Sequence, residues 1–565
     1  MFCCVFFFQI AGINGLRAQD VDNILNSKKV SVSGSFSANN VNYSAMGISR
    51  RKDAHTYYLS GNLNIALFEE WSIPLSFTYS NQEVDLSHGV SFNQIGLTPT
   101  YKWVKLYAGY SSMTFSPYSL SGHSFLGGGA ELTPPGKFNA SFMVGRLRKA
   151  EEPLSDEKEA MFSYKRMGYG MKLGYRDQGD EVNLIVFGAK DDKNSVKKIP
   201  ENTEVTPMEN LVLGLGIRKS LFDKVFIGAD VTSSLLTRDT RLEERDGGNF
   251  GIFNLANGVM NANASSSVFT AFKTDVAYRD NDFSLGMQYE RVDPDYQTLG
   301  AYYFTNDMEN ISLTASKQFF KGHLSVSANG GLQRNDLKKE KKSSMNNMVG
   351  SLNLGLQAGA GTNISLSYSN YTSFSNIRSD FEDINAVNQQ QVYDTLDFTQ
   401  ISQNVSLSVS HALGDLKNAN TRQNINANFN VQIASEKQEG KKKSAGTRFY
   451  NSGITYSISW KASRLSLSSS LNTNYNEMET GDALTLGPTL SVSKVFKKNL
   501  RSSLSGSWNR SYQNSKILNR IYVIRYNCSY ALKKHNFTIG MNYMNRNEEK
   551  KFAEFTASLG YNYSF

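Results

Sequence analysis

The chain has 565 residues and a formal charge of +9 spread thinly over that length, and its visible basic clusters, Lys338 to Lys342 and Lys441 to Lys443, fall between patterned segments, which reads as solvated loop tips and not as a nucleic-acid surface. Of its three cysteines, Cys3 and Cys4 lie in the first hydrophobic stretch and Cys528 stands alone, so the mature chain has no internal disulfide and no thiolate metal site. No internal apolar run reaches the roughly eighteen residues of a spanning helix, a test that does not reach strands.

In chain order, Met1 to Ala18 reads as a secretory signal: Phe2 to Ile10 is a short apolar core, and Leu16-Arg17-Ala18 offers a small residue before a cut. Residues 19–29 are a polar spacer. Alternation of apolar and small polar residues begins at Val30-Ser31-Val32-Ser33-Gly34-Ser35-Phe36 and continues to the end. Tyr57, Leu59, Gly61, Leu63, Ile65 and Leu67 form the second such set, and Trp71, Ile73, Leu75, Phe77 and Tyr79 the third. Leu211/Leu213/Leu215/Ile217, Val225/Ile227/Ala229/Val231, Phe283/Leu285/Met287/Tyr289 and Tyr522/Ile524/Tyr526/Cys528/Tyr530 repeat the pattern. Period two puts each set on one face of a strand. The segments number about 26 (24–26), each near the 9–11 residues of a tilted membrane strand. Pro99 and Pro488 each fall inside an alternating segment, where a bulge or local widening is expected because proline removes a ladder donor.

The connections alternate in length. Glu69-Glu70, Pro134-Pro135-Gly136, Phe222-Asp223-Lys224, Arg279 to Asp282, Phe320-Lys321-Gly322, Lys461-Ala462-Ser463, Lys497-Lys498-Asn499 and Lys533-Lys534-His535 are short. Arg146 to Met167, Asp191 to Glu209, Ser233 to Ala264 and Thr372 to Asp397 are long. A soluble sandwich has no reason to keep that phase. The final strand carries Phe555, Ala557, Leu559, Tyr561, Tyr563 and Phe565 on one face and Thr556, Ser558, Gly560, Asn562 and Ser564 on the other.

This terminal aromatic strand, together with the alternating short and long connections, resembles the large single-chain Gram-negative outer-membrane β-barrels. The resemblance covers nearly the whole mature chain and is architectural, reaching no single functional family. It implies an all-β fold: one transmembrane antiparallel up-and-down β-barrel over residues 30–565, with short periplasmic turns, long extracellular loops and both termini periplasmic. Phe555, Leu559, Tyr561, Tyr563 and Phe565 are then the barrel-closing strand. Trp71, Trp103, Trp460 and Tyr563 fall near strand ends on the turn side, as an aromatic girdle requires. TonB-dependent receptors carry a plug domain ahead of the barrel, and the lipopolysaccharide-transport barrel carries a periplasmic β-domain; residues 19–29 leave room for neither.

The inward faces are mostly Ser, Asn, Thr and Gly, with Arg218, Asp230, Lys273, Asp275, Glu290 and Arg525 as candidate lumen charges. These residues either select ions at a constriction or tie the wall across strands, and the second is the favoured reading. A lumen of this width must be blocked, by inward-folded loops or a second polypeptide. Met113 to Ser124 is apolar, aromatic and nearly uncharged, with Phe115, Tyr118, Leu120 and His123 as candidate occluding residues. Ser233 to Ala264, with Phe250, Ile252, Phe253 and Leu255, is the second candidate; the alternative for both segments is that they extend strands above the membrane. Gly127-Gly128-Gly129 marks a close approach of another segment.

The six histidines, His55, His88, His123, His323, His411 and His535, sit in no nucleophile or metal motif, and no cofactor is indicated. The function expected is passage across the outer membrane, as a pore or the barrel of a transport or export complex, and not catalysis. The alternative is a structural barrel that displays its loops. The partners expected are outer-membrane lipid and lipopolysaccharide, the barrel assembly machinery, and a plug or a periplasmic or lipoprotein partner.

Overall fold

A computed structural model describes residues 30–68, 70–81, 93–153, 162–199, 205–243, 250–256, 260, 262–302, 305–339, 346–370, 400–414, 420–438, 441–442, 447–478, 481–548 and 551–565. The expected signal and spacer, His88 and most of the Thr372 to Asp397 connection lie outside the described residues.

Every β segment belongs to one antiparallel ladder in which each strand pairs with its neighbours in sequence. Gln94–Leu97 and Thr100–Tyr101 both pair with Trp71–Ser80 and with Val104–Thr114, so they are two halves of one strand. Among the described residues Lys441–Lys442 pairs only with the tail of Thr421–Gln438. The 28 β segments among the described residues therefore form 26 barrel strands. The first strand, Val30–Met46, closes the cylinder on the last, Phe552–Ser564, in register from Ser35↔Ser564 to Met46↔Ala553. Closure matters because a sheet edge would leave a row of unpaired N–H and C=O groups.

Period-two patterning sorts the two faces. Leu215, Ile217, Leu285, Met287, Leu504 and Ile524 point outward and are exposed, while their neighbours along each strand face the lumen. Pro99 breaks its strand between Leu97 and Thr100. Pro488 keeps its place opposite Leu471, but Gly487 and Pro488 have no register partner on the Leu500–Gln513 side, where the ladder passes from Leu486↔Arg510 to Thr489↔Ser507. Both prolines thus widen the ladder locally.

Short connections gather at one end. Several use two consecutive residues of positive φ, such as Phe222 with Asp223 and Lys497 with Lys498, whose local twist suits a tight hairpin. At this end Trp71 stacks on Tyr101 with ring centroids 4.4 Å apart, His535 Nδ1 lies 2.8 Å from the Tyr561 hydroxyl, and Lys317 and Lys494 sit over Phe319 and Phe496. The connections at the other end are long in the first two thirds of the chain. In the last third they shorten, and Leu500–Gln513 joins Lys516–Leu532 through Asn514-Ser515 alone.

Candidate functional site

The largest buried apolar cluster lies inside the barrel, against one sector of its wall. After Val104–Thr114 the chain turns inward over residues 115–120, and the turn is closed by Phe115 N–H donating to the Leu120 carbonyl at 2.9 Å. Phe115, Tyr118 and Leu120 are at most 4% exposed, and His123 is buried beside them. The wall positions beneath face the lumen yet are apolar: Phe125, Met143, Phe187, Val212, Leu236 and Ala271. Small residues on the same wall admit the loop. A Cβ on Gly170 would lie 2.6 Å from Phe115 Cε2, and one on Gly129 2.9 Å from Met113 Sδ, so the glycine run marks the close approach expected of it.

A second segment, residues 293–302, completes the inward body. Tyr296 donates its hydroxyl to the Tyr118 carbonyl at 2.6 Å, Thr298 Oγ1 to the Ser119 carbonyl at 2.9 Å, and Ser121 N–H to the Gly300 carbonyl at 2.9 Å. Wall residues reach up to it. Asn210 Oδ1 accepts from Leu299 N–H at 3.1 Å while its amide donates to Ser234 Oγ at 2.7 Å, and Ser234 donates onward to the Gln297 carbonyl at 2.8 Å. A loop carried into an apolar interior must satisfy its backbone this way. Its low charge, in Tyr296-Gln297-Thr298-Leu299-Gly300, is the signal that marks Met113 to Ser124, but sequence reasoning did not single it out.

Below the loops runs a belt of inward charges of alternating sign. Arg176 pairs with Glu181 at 3.0 Å, Glu181 stands in register with Arg218, and Arg218 pairs with Asp230 at 2.5 Å. Asp230 is in register with Lys273, and Lys273 with Glu290. Glu290 Oε1 accepts from the Tyr118 hydroxyl at 2.6 Å, which ties belt to loop. Burial, then this bond to a carboxylate, holds the Tyr118 phenol well above its ordinary value, so it stays a donor. Asp275 faces Gly228 across the ladder. Arg525 stands apart, between Ser505 and Asn542.

His123 stacks on Tyr302 with ring centroids 3.9 Å apart and places Nδ1 2.7 Å from the Ser124 carbonyl, while Ser116 and Ser119 bond each other. The imidazole is thus paired with a backbone oxygen and not with a serine hydroxyl.

The second candidate loop goes elsewhere. Phe253 and Met260 pack on Leu211 and Leu235, with Val186 and Leu213 beside them. All four wall residues belong to the outward sets, so this segment folds over the outside of the barrel and not into the lumen. The reason is local: the nearest apolar surface to Phe253 is the outward face of Glu209–Leu221 and Val225–Thr237. The Leu255 side chain lies outside the described residues.

A smaller inward cluster sits at the barrel seam. Arg51 donates twice to Glu554, at 2.9 and 2.5 Å, and Tyr43 donates to the same carboxylate. Ile48 and Phe552 cover the inward-facing Ile521 and Val523. The remaining sector is neutral: Ser312, Thr314 and Ser316, the even-numbered Asn424 to Asn430, Asn472 and Asn474, and Ser503, Ser505 and Ser507 line it. Among the described residues no large apolar cluster covers it, and none forms a group of three His, Cys, Asp or Glu suited to a metal.

No protein-family model and no curated protein matches the chain. Among solved structures it is similar to the translocation pore of the P pilus usher PapC, with TM-score 0.43 and 11% identity over 94% of this chain and 99% of that one. It is also similar to the copper transporter OprC, with TM-score 0.35 and 9% identity over 94% and 80% of the two chains. The third is OccAB2 of Acinetobacter baumannii, with TM-score 0.28 and 8% identity over 68% and 97%. The barrel assignment rests on the closed ladder itself.

Proposed function

We propose that this chain is an outer-membrane barrel that passes polar cargo through its lumen, with the loop 115–120 and the segment 293–302 narrowing one side and passage running along the neutral sector. The observation that carries this reading is the asymmetry of the inner wall. One sector presents apolar residues to the lumen and is covered by two inward segments joined to it by hydrogen bonds. The other presents hydroxyls and amides, which wet readily and hold a passing solute weakly. An outward band of exposed Leu, Ile, Met and Tyr suits hydrocarbon, and a secretory signal over Met1 to Ala18 suits export to that membrane.

The short-turn end then faces the periplasm, and outer-leaflet lipopolysaccharide meets the other rim. Insertion falls to the barrel assembly machinery, with Phe555 to Phe565 as the closing strand. A periplasmic or lipoprotein partner closes the neutral sector between passages. The alternating belt, through its Arg218–Asp230 and Arg176–Glu181 pairs, ties the wall together and anchors the loop through Glu290.

Reconstitution of the purified barrel in planar bilayers tests the reading. Conductance steps support passage. A silent, correctly folded barrel would instead support the display of loops by a structural protein.

A further inference from the structure

The charges on the lumen wall are unevenly distributed. In the belt, Arg176, Arg218 and Lys273 stand against Glu181, Asp230 and Glu290, so cations and carboxylates cancel. Lys172 and Asp275 add one of each sign on the same wall. The sector of hydroxyls and amides differs. Arg422, Arg501 and Arg525 face inward there, on the faces that carry Asn424, Ser503 and Asn527. Arg422 stands opposite Ser459, Arg501 between Val495 and Ser529, and Arg525 between Ser505 and Asn542. Among the described residues none of these arginines has an ion-pair partner. Among the described side chains no inward carboxylate lies in the turn-side half of that sector; Glu554 is near the far rim, and Arg51 holds it.

Their positions mark a route. Arg422 and Arg501 are each the second residue of their strand, so both stand at the short-turn mouth. The register runs Arg422↔Ser459, Ser459↔Ser466, Ser466↔Ser493 and Ser493↔Ser503, so these ladders, at about 4.8 Å each, set the two arginines roughly 19 Å apart across a wall of serines. Arg525 lies deeper. Ser529 is opposite Arg501, and Arg525 is four residues further up that strand, about 13 Å at about 3.3 Å per residue. That spacing is close to the roughly 10 Å over which charges act at ordinary salt, so an anion leaving one guanidinium enters the field of the next. Each arginine stands singly among hydroxyls and amides, with no cage to trap an anion, and conduction requires binding weak enough for release.

We propose that the lumen passes anions in preference to cations, with Arg422 and Arg501 gathering them at the short-turn mouth and Arg525 receiving them deeper in the barrel. The cargo is then a polar solute that carries an oxyanion, a carboxylate or a phosphate. This rests on the passage reading above and gives its cargo a sign. Arginine and lysine side chains on a pore wall select anions, and the Ser and Asn rows between them accept the uncharged part of such a solute.

Reversal potentials of the reconstituted full-length barrel under a KCl gradient test the sign. The wild type gives a chloride-to-potassium permeability ratio above unity. R422Q, R501Q and R525Q together bring the ratio down toward unity, whereas R422K, R501K and R525K together, which keep the charge, preserve it. A control pair, K317Q with K494Q, removes cations from the outward face at the same end of the barrel and leaves the ratio unchanged. Citrate and inorganic phosphate, each added alone on the short-turn side, interrupt the current of the wild type more than that of the glutamine triple variant, and the neutral sugar trehalose affects both alike. Interruption by citrate alone assigns carboxylate cargo, and interruption by phosphate alone assigns phosphate cargo. Migration of unheated samples on gels confirms that each variant is a closed barrel.

A wild-type ratio at or below unity, or a ratio that the glutamine triple variant leaves unaltered, overturns the inference. The two claims fail differently. A silent wild-type barrel removes passage itself and the inference with it, whereas a conducting barrel without anion preference removes the inference alone.

Discussion

The Tyr118 hydroxyl donates to Glu290 Oε1 at 2.6 Å, joining the tip of an inward loop to the end of the charge belt on the lumen wall. This bond spans 172 residues of sequence. Truncating Tyr118→Phe removes the donor and leaves a part-buried carboxylate short of one partner, a loss of about 1–3 kcal/mol for a bond to a charged group. Hydrogen exchange at residues 115–120 then quickens, and the double variant with Glu290→Gln adds little, because both changes break one interaction. Unchanged exchange in Tyr118→Phe would show that the apolar contacts alone hold the loop.

Gly300 offers a steric probe of the same body. A Cβ there would lie 2.7 Å from both Phe187 Cζ and the Ser119 carbonyl oxygen. The carbonyl cannot give way without moving the 115–120 turn. Gly300→Val therefore expels the 293–302 segment, making it cleavable by protease added outside, while the barrel ladder survives and still resists detergent on unheated gels. Protection of the segment in Gly300→Val would mean that it does not pack against Ser119.

Much of the fold is legible in the residues because a closed barrel demands the same alternation on every strand, and each strand repeats the test. The two proline irregularities and the girdle at Trp71 and Trp460 follow from that logic. The inward loop at Phe115, Tyr118 and Leu120 is legible because its low charge is out of place in water. The partner segment around Tyr296 carries the same signal, but it sits in a connection flanked by Asp293, Asp295 and Asp307 that reads as an ordinary polar loop. Phe253 shows where composition runs out. An apolar loop can cover either face of the rim, and which one it covers depends on the parity of Leu211 and Leu235, a fact of register.

Lipid facing is testable on the strand Lys516–Leu532. Ile524 is half exposed on the outward side, and Cys528 shares its face. Ile524→Arg costs about 2–4 kcal/mol if it lies near the bilayer midplane, read as a lower urea midpoint for folding into lipid vesicles. Cys528 reacts with apolar maleimides and resists charged ones. Labelling by charged reagent alone would place this face toward water and invert the register.

Orientation follows from the two ends. An epitope inserted near Lys338, in the connection after Leu324–Arg334, is reached by antibody on intact cells, whereas one between Lys497 and Asn499 is reached only after permeabilisation. Labelling of both on intact cells contradicts the barrel orientation.

The decisive change is removal of the inward loop itself. Thr114 pairs with Ser121 at the top of its hairpin, so deleting Thr114 to Gly122 shortens the connection and leaves the wall ladder below Ser112↔Ser124 untouched. Phe125, Phe187, Val212 and Leu236 then lose their cover, and Tyr296 and Thr298 lose the carbonyls of Tyr118 and Ser119 that hold their segment down. Both inward segments are released together, so conductance rises by more than the volume of one loop would suggest, and cells become sensitive to bulky antibiotics. Removing residues 250–256, which fold over the outer face, is the matched control: it deletes a similar length from the same rim without touching the lumen. Conductance unchanged by the first deletion, or raised equally by both, would show that the loop at Tyr118 does not narrow the passage.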